Sequence, residues 1–163
     1  MKSLADRAIA ASRSGLENEV KALLSQGLNI EARDNTFART PLAWAAREGH
    51  AGMVQLLLEL GANVNAIDKY GGTPLQAAAS FGHTSSAIAL LEFGAEINAQ
   101  DDRGWTALMM AAAHGHQNTV AVLLAQGANV KSVQAQGLTV LGLTQTHHYP
   151  EIVELLKQSG AAE

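Results

Sequence analysis

Apolar residues recur along the chain in short groups spaced as one face of an α-helix: Val54, Leu57 and Leu58; Ala87, Leu90 and Leu91; Val120, Leu123 and Leu124. Positions i, i+3 and i+4 form a single stripe, so each group predicts an amphipathic helix lying against a neighbour. A second, shorter helix precedes each stripe. Thr40–Pro41 and Thr73–Pro74 give it an N-cap and a first position where proline's missing N–H goes unused. Gly49, Gly82 and Gly115 end it in the left-handed C′ conformation, and Gly61, Gly94 and Gly127 close the longer helix by the same device. Between these pairs, Asp68–Gly71 and Asp101–Gly104 have the Asp-x-x-Gly form of a tight turn.

The pattern is periodic. Thr40, Thr73, Thr106 and Thr139 are spaced by 33 residues, as are Gly61, Gly94, Gly127 and Gly160. The intervening text recurs as RTPLAWAAREGH, GTPLQAAASFGH and WTALMMAAAHGH, and more distantly as LTVLGLTQTHHY. This period, with TPLxxAAxxGH followed by LLxxGAxxNA, resembles the ankyrin repeat. The likeness covers residues 4–162, about five units. It implies an all-α solenoid of helix-turn-helix units with short β-hairpin fingers projecting to one side. Its concave face is then built from finger tips and first helices. The units run over residues 1–33, 34–67, 68–100, 101–133 and 134–163. The first and last are expected to be polar caps of a complete array, since Asp6, Arg7 and Arg13 make the outer side of the first helix polar and Lys157 replaces a stripe leucine.

The departures from the family pattern carry expectations of their own. Ala43, Gln76, Met109 and Gly142 stand where the family has a histidine, so that residue's bond to the turn is expected to be missing in every unit. The first finger, DNTFART, has one extra residue and carries Ala38 where glycine is expected. Residues 34–39 are therefore expected to be irregular and the most mobile finger. Asn65 and Asn98 match the family's hairpin asparagine, with backbone hydrogen bonding inside the finger as the expected role.

Composition narrows the function classes. The chain has 163 residues, 11 basic and 15 acidic, for a net charge of −4, which argues against a general nucleic-acid or anionic-membrane binder. With Cys at 0, disulfides, thiolate metal sites and cysteine nucleophiles are excluded. No run of about 18 apolar residues is present, and the N-terminus is a poor signal peptide, so a cytoplasmic monomer is expected. The glycine-rich phosphate loop, G-x-S-x-G and H-E-x-x-H are all missing, so no catalytic residue or cofactor is assigned. His50, His83 and His116, in the GH position, are expected to bond local loop backbone. His114 and His147 lie 33 apart, with His116 and His148 nearby, and form the alternative reading, a metal-binding or catalytic region. A structural or self-associating repeat protein is the other alternative.

The leading reading is a non-catalytic module (adaptor, scaffold or inhibitor) that docks a protein partner on its concave face. The chain has only 3 Phe, 2 Trp and 2 Tyr, and four of them fall on positions that the repeat leaves free: Phe37, Tyr70, Phe81 and Trp105. Aromatics and arginines are the common anchors of interfaces. Arg39, Arg47, Arg103 and His114 share the same side and complete the candidate partner-binding set. Trp44 is expected to be packed in the scaffold and Phe93 to be structural. Residues 1–50 hold seven of the 11 bases and six of the 15 acids, and Lys69 also maps to the concave side, a balance that suits an acidic partner surface.

Overall fold

Threonine opens the first helix of each of units 2 to 5. Thr40, Thr73, Thr106 and Thr139 each accept, through Oγ1, the backbone N–H three residues on, at 3.1–3.3 Å. Those bonds satisfy amides that the helix itself leaves without an acceptor. The computed structural model describes residues 3–147 and 149–161, with 145–147 as backbone only. The helices pair as α1 (Leu4–Arg13) with α2 (Glu17–Ser25), α3 (Pro41–Glu48) with α4 (Ala51–Glu59), α5 (Pro74–Ser80) with α6 (Thr84–Glu92), α7 (Ala107–Ala113) with α8 (Gln117–Ala125), and α9 (Val140–His147) with α10 (Pro150–Gln158).

The pairs stack into two rows. First helices α1, α3, α5, α7 and α9 pack consecutively, and second helices α2, α4, α6, α8 and α10 form the other row. Leu42, Leu75, Leu108 and Leu141 repeat one buried position, and Leu57, Leu90, Leu123 and Leu156 another. Each such side chain contributes about 1.5–3 kcal/mol on burial. Ala45, Ala78 and Ala111 are fully buried in the first-helix row, where a methyl group keeps neighbouring helices close.

Polar ladders run alongside this core. Asn65 Oδ1 accepts the Glu96 N–H at 2.9 Å, and Asn98 Oδ1 accepts the Asn129 N–H at 2.8 Å. These asparagines thus reach into the following repeat rather than bonding only within their own finger. The histidines also act between repeats. His50 Nε2 lies 2.9 Å from the Arg13 carbonyl and His116 Nε2 lies 3.0 Å from that of Ser80, each in the preceding unit. The imidazole of His116 occupies the space over Gly82, where a Cβ would come within 2.5 Å of the ring; Tyr149 covers Gly115 in the same way.

The fingers are turns rather than hairpins with paired strands. A lone bridge, Val133 to Thr139, is the β-pairing among the described residues. Each later finger closes across four positions: Asp68 N–H to the Gly72 carbonyl at 2.9 Å, Asp101 to Trp105 at 3.0 Å, Gln134 to Leu138 at 3.0 Å. The first spans five, Asp34 to Arg39 at 3.0 Å, and Ala38 takes the positive φ of 55° in place of a turn glycine. Single backbone bonds tie finger to finger, from Lys69 N–H to the Phe37 carbonyl, Asp102 to Tyr70 and Ala135 to Arg103.

Two further expectations are corrected. Gln76 restores the missing histidine's bond in its unit: Nε2 donates to the Ala99 and Trp105 carbonyls at 2.8 and 2.7 Å, while Oε1 accepts the Thr73 N–H. Glutamine has the reach and the two donors that the turn requires. Phe93, at the end of α6, is 40% exposed and so lies largely outside the core.

Candidate functional site

Helices α3, α5 and α7 and the turns above them border an open cleft of about 400 Å³ on the side where finger tips meet first helices. Its floor is Ala43, Ala77 and Met110; Tyr70 and Phe81 stand on its walls; Arg39 and Arg47 approach from unit 2 and Arg103 from unit 4. Tyr70 is 53% and Phe81 47% exposed, a large apolar area for side chains in a scaffold that fills its core with Leu and Ala.

The repeat explains why the cleft opens where it does. Gly72 occupies the position that is Arg39 one unit earlier and Trp105 one unit later. Ala77 likewise stands between Trp44 and Met110 in register. The third unit thus carries small residues at two positions that its neighbours fill with bulk, and the missing volume is the cleft. This signal was present in the spacing but becomes meaningful only once those positions are known to share a face.

The candidate residues divide accordingly. Arg39, Arg47, Tyr70, Phe81 and Arg103 converge on the cleft, whereas Phe37, Trp105 and His114 do not line it. Trp105 is half-buried against the core, with the Arg103 guanidinium 5.8 Å from its ring. His114 is exposed at the end of α7, its Nδ1 2.8 Å from the Met110 carbonyl and its ring stacked on His116. Phe37 lies edge-on to Trp44 at 6.2 Å. Trp44 itself is buried and collects three guanidiniums, those of Arg13, Arg39 and Arg47, at 4.5–5.4 Å.

The arginines differ in how freely their charge faces outward. Arg39 Nε bonds Asp68 Oδ2 at 3.0 Å, both side chains largely covered. Arg47 lies over the Phe81 ring at 4.5 Å and pairs with Glu48 at 2.7 Å. Arg103 is 74% exposed in its side chain and meets Asp101 at 3.6 Å. Asp68 and Asp101 are turned into their own fingers, where each accepts two backbone N–H groups at 2.9–3.0 Å.

Asp34 performs the same task more intensively beside the cleft. Burial pushes its carboxyl upward, but bonds from the Phe37 N–H, the Trp44 indole, and the Arg39 and Thr36 N–H groups outweigh burial and hold it below the usual range.

Among the described residues no three His, Asp or Glu side chains stand close enough to hold an ion. The His147 side chain and His148 lie outside the described residues. No helix among the described residues is long and apolar enough to cross a membrane.

The stacked helix pairs, the turn fingers and the glycine-capped helix ends are those of an ankyrin array, and the chain belongs to that family. The family's model, ankyrin repeats (3 copies), matches residues 8–101 and 90–162. Shorter stretches resemble individual proteins. The chain is 45% identical over 56 residues to the mouse B-cell lymphoma 3 protein homolog, covering 34% of this chain and 12% of that protein. It is 41% identical over 59 residues to the ankyrin repeat protein nuc-2 of Neurospora crassa, covering 36% and 6%. A fowlpox virus ankyrin repeat protein is 47% identical over 45 residues, covering 28% and 7%. These matches span small fractions of much longer proteins.

Proposed function

We propose that this chain is a non-catalytic adaptor or inhibitor that docks a protein partner in the concave cleft between units 2 and 4. The observation that carries this reading is the pair of exposed aromatics, Tyr70 and Phe81, standing with Arg47 and Arg103 around a preformed recess. Ankyrin arrays are generally protein-interaction modules, and aromatic and arginine side chains in recesses are the residues that dominate interface energetics. An open recess of this kind does not enclose a reacting centre away from water, which favours binding over catalysis.

The test is affinity capture from the source cell with the bound protein identified. Tyr70→Ala and Phe81→Ala are compared with Glu59→Ala and Glu92→Ala, which alter exposed acids on α4 and α6. Loss of a central interface aromatic costs about 2 kcal/mol or more, roughly thirtyfold in affinity. The cleft pair is expected to lose capture while circular dichroism and melting stay near wild type. Loss of capture by the second-helix pair instead would place the interface elsewhere.

A further inference from the structure

We infer that the cleft is built for an acidic segment of a partner protein, with a carboxylate between Arg47 and Arg103 and an adjacent large apolar side chain seated over Ala77. The inference rests on the proposed protein-docking role and specifies the chemistry of what docks. It starts from the third unit's missing bulk. Because Gly72 and Ala77 replace the Arg39/Trp105 and Trp44/Met110 of the flanking units, the recess is apolar at its base and is walled by Tyr70 and Phe81. An apolar side chain inserted there gains contact on several sides and sheds its hydration.

Charge sets what must lie beside that side chain. Asp68 and Asp101 line the cleft but are only 7% and 5% exposed; Oδ1 of each is engaged by turn amides, and Oδ2 faces Arg39 at 3.0 Å and Arg103 at 3.6 Å respectively. Asp102 remains as an exposed acid on the rim. The cations reach further out: Arg103 projects into solvent, and the Arg47 guanidinium lies over the Phe81 ring at 4.5 Å before any ligand arrives. A planar guanidinium fixed on an aromatic face presents its N–H edge to a carboxylate with little further ordering.

Glu48 gives the inference its sharpest consequence. Its Oε1 binds Arg47 at 2.7 Å and also lies 3.9 Å from Arg13, so in the free protein it occupies the group that an incoming carboxylate needs. Glu48 is an internal competitor. Removing its charge should strengthen binding, an outcome that a purely structural role for the Arg47–Glu48 pair does not produce.

The experiment pans a phage-displayed library of random peptides against the full chain, then measures the enriched peptides by fluorescence anisotropy. Enrichment of Asp or Glu next to a large apolar residue is expected. Arg47→Gln with Arg103→Gln should weaken the best peptide at least about tenfold, and affinity should fall as salt rises. Glu48→Gln should tighten it about threefold, within the range of an exposed ion pair. Ala77→Trp, which supplies the bulk already present at Trp44, should block binding while the melting temperature confirms a folded array. Neutral peptides that still require Tyr70 and Phe81 would overturn the acidic inference and leave the docking face standing. Peptides indifferent to every cleft substitution would overturn both. An empty selection, weaker binding by Glu48→Gln, or tighter binding of a polyuridine oligonucleotide than of the selected peptides would each overturn the inference.

Discussion

The first finger and the second meet the same steric demand by different chemistry. In residues 68–72 a glycine takes the positive φ of 74° at position 71, and Asp68 accepts the Tyr70 and Gly72 amides. In residues 34–39 the turn is one residue longer and Ala38 adopts φ 55°, a conformation that costs a residue with a Cβ about 1–2 kcal/mol. Asp34 offsets that strain by accepting three backbone N–H groups, from Thr36, Phe37 and Arg39, and the Trp44 indole, at 2.6–3.0 Å. Lys69 Nζ adds a bond to the Thr36 carbonyl from the neighbouring finger. An irregular backbone is therefore not a sparsely bonded one. One finger combines a glycine with its carboxylate, and the other relies on a more heavily bonded carboxylate without the glycine.

That contrast can be broken most directly at the carboxylates. Asp34→Ala strands three amides and an indole N–H and should cost about 2–4 kcal/mol in urea unfolding. Asp101→Ala strands two amides and should cost about half as much. Equal losses would mean that the first finger is held by something other than Asp34.

Smaller effects should separate the glycine positions. Gly71→Ala combines a left-handed residue with a Cβ 2.8 Å from Asp102 Oδ1 and 3.2 Å from its backbone nitrogen. It should destabilise by about 1–2 kcal/mol. Ala38→Gly, the reverse change, should stabilise by up to about 1 kcal/mol by relieving its backbone. Destabilisation by Ala38→Gly would show that Asp34 has removed the strain altogether.

The smallest effect is the dependence on pH. Asp34 has a folded pKa below its unfolded value, so its contribution is complete above the ordinary carboxylate range near about pH 4. It disappears as pH falls through the lower, folded value. The stability gap between wild type and Asp34→Asn should stay constant from neutral pH down to that range and shrink below it. A gap unaffected by acid would show that folding does not lower the Asp34 pKa. At neutral pH the Phe37 and Arg39 amides should exchange at least as slowly as those of Tyr70 and Gly72. This reverses the mobility expected from the extra residue and missing glycine alone.

Much of the array is legible in the sequence because its determinants are local. A threonine N-cap, a proline at the first helical position, a glycine at C′ and a stripe at i, i+3 and i+4 each act within a few residues. Repetition at 33 residues then implies stacking, since a single unit cannot bury its own stripe. The side on which Arg39, Arg47, Tyr70, Phe81 and Arg103 converge followed from the same register.

Which of those residues remain available to a partner depended on contacts that no local pattern encodes. Arg39 is occupied by Asp68, 29 residues away, and Gln76 reaches the Trp105 carbonyl, also 29 away. His116 bonds the Ser80 carbonyl 36 residues upstream. Trp105 and Tyr70 both follow finger aspartates, yet one packs against the core and the other faces solvent. The sequence by itself determined the helices and their periodic stacking, through short-range backbone chemistry. The tertiary structure decided the cleft and how its charges are covered, because the volume at each position is set by what the adjacent repeat places beside it.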